Sequence, residues 1–179
     1  MSDRPGTTAL AGRLARPPVG AAYGGVLGLA VLCVSGVVGL GLHQPWLFPS
    51  LGPTVMIFFE SPGSPAARPH AALVGHGVGL VAGYLCLLLF GLTAAPSVVQ
   101  GGLSGPHILA GALSVALTTV VLTLLRLQHP PAGATTLIVS LGILHQPAQL
   151  LAMAGAIVLI TVLGFALNRL LLGRQPTAT

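Results

Sequence analysis

From Val19 to Leu42 the chain runs for 24 residues without a charged side chain. A helix needs about 20 apolar residues to cross the hydrocarbon core of a bilayer, so this segment is long enough to span it. Three more long apolar segments follow, from about His70 to Ala95, from about His107 to Leu125 and from about Ala148 to Leu172. Such a chain folds only where these surfaces meet lipid or one another. Composition agrees: 5% of the residues are charged, 54% are hydrophobic and the mean hydropathy is +0.94. A soluble domain carries about 25% charged residues. The seven positive side chains are all Arg and are scattered singly, so no basic patch for nucleic acid is formed. Cys33 and Cys86 lie in apolar stretches without a CxxC pairing and read as small buried hydrophobes, with no lipidation expected. The chain reads as an all-α integral membrane protein whose first partner is the lipid bilayer.

Two shorter apolar pieces interrupt the series, Trp46–Phe59 and about Gln128–Leu144. Aligned at an offset of 81 residues, Pro49 meets Pro130, Gly52 meets Gly133, Thr54 meets Thr135 and Ile57 meets Ile138. Both pieces therefore read Pro-x-x-Gly-x-Thr followed by an apolar run, and each lies between two long segments. This predicts two three-segment repeats, at about 19–95 and 107–172, flanked by polar tails at 1–18 and 173–179. An extended entry of about five residues covers roughly 16 Å, and a ten-residue helix adds roughly 15 Å. Together they match a core of about 30 Å, so each short piece is long enough to cross. With six crossings and a cytoplasmic N-terminus, Arg4, Arg13, Arg16, Arg68, Arg126, Arg169 and Arg174 all fall on the cytoplasmic side. The repeats are then inverted relative to each other. The alternative is four full spans with two re-entrant short helices, which moves Arg68 and Arg126 outside.

Paired interrupted segments point to a transporter site. A helix N-terminus exposes unbonded N–H groups and about half a positive charge, and Pro is tolerated there because it has no N–H to leave unsatisfied. Pro49, Pro53, Pro130 and Pro131 are thus expected to mark the breaks. Gly52 and Gly133 let a ligand approach the backbone, next to Leu51 and Ala134, while Ser50, Thr54, Thr135 and Thr136 supply hydroxyl donors. Two such ends meeting near the midplane form an uncharged but positively polarised site suited to a small inorganic anion. Ordinary kinks packed against small residues would produce the same sequence pattern.

The run His129-Pro130-Pro131-Ala132-Gly133-Ala134-Thr135-Thr136 resembles the signature of the HPP family of integral membrane proteins, and Phe48-Pro49-Ser50-Leu51-Gly52-Pro53-Thr54 resembles that family's other characteristic stretch. The resemblance extends from about residue 20 to about residue 172. It implies a four-spanning membrane protein, from which the six-crossing reading departs, and association of some plant and cyanobacterial-type relatives with nitrite transport. Some relatives carry soluble CBS modules; none is expected here.

Each of the remaining polar residues has both a functional and a purely structural role open to it. His129, just before the second break, can donate to an anion, shuttle a proton or bond a freed carbonyl. His76 stands inside a long segment between Gly75 and Gly77, where it is either functional or an interhelical hydrogen-bond partner. Arg68 and Arg126 either concentrate anions at an entrance or set topology by snorkelling to the headgroups. Glu60 closes the first short piece, as a partner for Arg68 or a site for a coupling proton. The Gly20, Gly24, Gly28 and Gly75, Gly79, Gly83 series read as helix-contact faces. No metal or other cofactor is expected, because no histidines share i, i+4 spacing. The expected function is a channel or carrier for a monovalent anion, nitrite by family resemblance, in the plasma (inner) membrane of a prokaryote with both termini cytoplasmic. A homo-oligomer is expected from the glycine faces. The rivals are an intramembrane enzyme using His129, His76 and Glu60, and a scaffold without transport.

Overall fold

The computed structural model describes residue 10 and residues 12–173. The polar tails apart from these, including Arg4 and Arg174, lie outside the described residues. Seven α-helices are formed among them: α1 (Pro17–Leu42), α2 (Leu51–Glu60), α3 (Pro69–Leu89), α4 (Val98–Gly101), α5 (Gly105–Leu124), α6 (Pro131–Ser140) and α7 (Pro147–Leu172). Four of them, α1, α3, α5 and α7, are long and apolar enough to cross a membrane. The sequence dictates most of the boundaries. α1, α3, α5, α6 and α7 all carry Pro in the first two helical positions, where the missing N–H costs nothing. α7 adds a reciprocal cap between Gln146 and Gln149.

α3 ends at Leu89, six residues before the Ala95 expected from hydropathy. Gly91 turns the backbone left-handed at φ 68°, and the Leu92 N–H closes on the Leu87 carbonyl at 2.9 Å. Apolarity continues past this point, but the backbone is no longer helical. α1 and α5 also finish alike. His43 and Arg126 each adopt φ 54°, and the next residue, Gln44 or Leu127, bonds back five residues to Gly39 or Leu122. Each chain exit then leads through an extended segment to a ten-residue helix, α2 or α6.

α6 packs between α3 and α5, α2 packs between α1 and α7, and α3 also lies against α5 and α7. The larger apolar core joins Leu51, Val55, Phe58 and Phe59 of α2 to Met153, Ala156, Ile157 and Ile160 of α7. A smaller one holds Cys86, Leu87, Leu92 and Ala110. The outward faces of the long helices are apolar too, with Leu40 and Leu124 each 78% exposed. That pattern suits a solvent of acyl chains and identifies an all-α protein of the membrane.

Candidate functional site

The two short helices begin where the repeated sequence places their starts. α2 starts two residues after Pro49, and α6 starts one residue after Pro130. Pro49, Pro53 and Pro130 are exposed, whereas Pro131 is buried. Thr54 and Thr135 both lie in the early turns and are fully buried. They reach the same side chain, His76 of α3. Thr54 Oγ1 stands 2.9 Å from His76 Nε2, and Thr135 Oγ1 stands 2.7 Å from His76 Nδ1. His129 joins them, with its Nε2 at 3.2 Å from His76 Nε2 and 3.4 Å from Thr54 Oγ1. The two imidazoles meet edge to face, 4.8 Å between centroids. Two threonines and two histidines from α2, α3, α6 and the α5–α6 connection thus form one buried polar cluster.

One bond fixes the protons of the cluster when both rings are neutral. His129 Nδ1 lies 3.0 Å from the carbonyl oxygen of Ala66, in the 3-10 turn Pro65–Ala67. A carbonyl only accepts, so Nδ1 carries the hydrogen and Nε2 of a neutral His129 is an acceptor. His76 Nε2–H faces that acceptor and Thr54 Oγ1 together. Thr54 donates to the Ser50 carbonyl at 3.0 Å. His76 Nδ1 is left as an acceptor for the Thr135 hydroxyl. Every hydrogen then has one direction, from Thr135 through His76 to His129 and Ala66.

α3 can hold its histidine here because its glycine row admits α6 at backbone distance. A Cβ added at Gly75 would sit 2.9 Å from His129 Cβ, and one at Gly79 would sit 2.8 Å from the Ala132 carbonyl oxygen. At Gly83 the corresponding approach is 2.7 Å to the Thr136 carbonyl oxygen. Thr136 donates to the Ala132 carbonyl and also pairs with Thr118 of α5 at 2.9 Å. Gly52 and Gly133 differ from the packing glycines: a Cβ at either would meet no heavy atom within 4 Å. Ser50, at the N-cap of α2, is fully buried and its hydroxyl has no hydrogen-bond partner within the protein. Leu51 is fully buried in the core, and Ala134 is half-buried.

Other candidates lie away from this cluster. Glu60 is exposed at the last position of α2, beside a cavity lined by Leu14, Gly20, Gly24, Phe59, Pro62 and Leu172. Arg68 is half-buried at the N-cap of α3, and Arg126 is exposed at the left-handed exit from α5. Sequence reasoning missed Thr118, the Ala66 carbonyl and a second polar link. In that link Tyr23 donates to Asn168 at 2.6 Å, and Asn168 donates to the Phe58 carbonyl at 2.7 Å, tying α1, α7 and the end of α2 together. Its signal was available: Asn168 is the chain's single asparagine and stands within an apolar 26-residue helix.

A transmembrane protein of Dictyostelium discoideum is 29% identical over 123 residues, covering 69% of this chain and 39% of that protein. The chain therefore spans about two-fifths of the length of the curated relative it matches. No solved structure matches. The family profile described as HPP, transmembrane region, matches residues 14–176. With the two Pro-x-x-Gly-x-Thr helices and the His129-Pro130-Pro131 break inside that match, the chain belongs to the HPP family of membrane proteins.

Proposed function

We propose that the protein is a channel or transporter for a small monovalent anion, held near mid-membrane between the first turns of α2 and α6. The observation that carries this reading is the meeting of Thr54 and Thr135 on the two nitrogens of one buried histidine. Two helix N-termini converge there, and both offer partial positive charge without a fixed cation. The free space beside Gly52 and Gly133 and the unpartnered Ser50 hydroxyl support a ligand at the two helix starts, with hydroxyl groups as its donors, since the Leu51, Ala132 and Gly133 N–H groups are already bonded within the chain. Nitrite is the best candidate and comes from the family resemblance alone.

The same reading takes α1–α3 and α5–α7 as inverted repeats with six membrane segments. Several correspondences support it. α2 packs on α7 as α6 packs on α3, and the chain leaves α1 and α5 through matching left-handed turns. Gly164 accepts Phe58 as Gly83 accepts Val139, and both pairs are related by the offset of 81 residues. On this reading the described Arg residues lie on the cytoplasmic side of a prokaryotic plasma membrane, with residues 1–18 and 173–179 as cytoplasmic tails. Exposed helix faces are available for a homo-oligomer. Maleimide labelling of Ser64→Cys only from the cytoplasmic side is expected, and labelling only from outside would refute the topology.

The function is tested with purified protein in liposomes, following uptake of nitrite, nitrate, formate and chloride. Uptake of at least one anion above protein-free vesicles is expected. No flux of any of them would overturn the proposal.

A further inference from the structure

We propose that the His76–His129 pair carries one proton with each anion, so that the protein is an electroneutral proton–anion symporter. This rests on the anion reading above. The geometry supplies a path along which a proton can move without rearranging the helices. When a hydronium ion gives up a proton to His76 Nδ1 and leaves as water, that nitrogen becomes a donor to Thr135, 2.7 Å away. The N–H bond at His76 Nε2 then breaks as one forms at His129 Nε2, across 3.2 Å. His76 is left neutral with its hydrogen on Nδ1, and His129 becomes the imidazolium, donating from Nδ1 to the Ala66 carbonyl. One positive charge moves and no electron is transferred. The path runs from the first turns of α6 to the turn preceding α3, the side on which the proposed topology places the cytoplasm.

Coupling follows from the burial of both charges. His76 is fully buried and His129 is 2% exposed. An unpaired imidazolium there is costly, and so is an unpaired anion, whereas the two together stabilise each other. The surrounding charges do not substitute for the anion. α6 carries no titratable side chain. The only carboxylate on α2, Glu60, lies at its opposite end, His107 is in the first turn of α5, 11 residues before the Thr118 that meets α6, and Arg169 is in the last turn of α7. On α3 itself, His70 is in the first turn, Tyr84 and Cys86 are two turns or more beyond His76, and Arg68 precedes the helix. Arg126, three residues before His129, adds positive charge only.

The two halves are not equivalent at the histidines. At the offset of 81 that relates the two halves, His76 corresponds to Ile157 and His129 to Phe48. Both counterparts are buried and apolar. The protonatable pair therefore exists once, on one side of the Thr54–Thr135 meeting point.

The test uses the full chain in liposomes holding a pH-sensitive dye, with membrane potential clamped by potassium and valinomycin. Nitrite is the first probe, with protein-free vesicles measuring leakage of nitrous acid. Nitrate, the anion of a strong acid, is the second. The expected result is internal acidification matching anion uptake one to one, with uptake unchanged by a potential of either sign. His76→Gln, which keeps a donor and an acceptor but takes up no proton, is expected to abolish the acidification while its thermal unfolding stays near wild type. The wild-type stoichiometry decides the question even if that variant fails to fold. Anion uptake driven by potential without proton movement would overturn the symport inference and leave the anion reading standing. Absence of all anion flux would overturn both.

Discussion

Replacing Gly79 by alanine measures how closely α6 is seated on α3. The added Cβ would lie 2.8 Å from the Ala132 carbonyl oxygen and 2.9 Å from Thr136 Oγ1, against an ordinary contact of 3.4 Å or more. The near atoms include backbone, so relief requires α6 to retreat by about 0.6 Å, the difference between 3.4 and 2.8. Overpacking of this kind costs about 1–3 kcal/mol. Gly77, two residues away, provides the control, because a Cβ there meets nothing within 4 Å. Gly77→Ala should instead gain up to about 1 kcal/mol of helix propensity. Unfolding can be followed in detergent with a thiol-reactive dye on Cys86, which is 1% exposed, in a Cys33→Ser background. At about 2–4 °C per kcal/mol for a chain of this size, Gly79→Ala should melt about 2–12 °C lower and Gly77→Ala no lower than the parent. Equal melting temperatures for the two variants would refute the backbone-distance seating of α6.

Three further outcomes are expected. Asn168→Leu removes both hydrogen bonds that join α1, α2 and α7 and should destabilise by about 1–3 kcal/mol, while Tyr23→Phe, which removes one, should cost about half as much in the same unfolding assay. Thr135→Val leaves His76 Nδ1 without its donor and should cost about 1–3 kcal/mol, whereas Thr118→Val leaves Thr136 bonded to Ala132 and should cost under about 1 kcal/mol. Gly52→Ala and Gly133→Ala should leave the melting temperature within about 2 °C, since neither Cβ meets a neighbour, yet lower anion flux in liposomes. Unchanged flux in both would count against ligand approach at those glycines.

The order of the four long helices was legible because bilayer thickness converts directly into a length of uncharged apolar chain. The starts read from apolarity at about His70 and Ala148 fall within one residue of the observed Pro69 and Pro147, and the proline break marked the start of α6 at Pro131. The end of α3 was not legible, because Gly91 stops the helix by dihedral angle while hydropathy continues. The Pro-x-x-Gly-x-Thr repeat named Thr54 and Thr135 as a pair and located both short helices. It gave no distance between them.

That distance is a property of the tertiary structure alone. His76 could be read as a functional residue or a packing partner with equal reason until α3 was seen to place its two ring nitrogens against the two threonines. Likewise His129 acquires a defined hydrogen only through the Ala66 carbonyl, 63 residues away in sequence. Composition and periodicity determine which segments leave water, since that depends on each segment's own surface. Which buried polar groups meet depends on how helices far apart in the chain pack, and here the glycine row of α3 decides it.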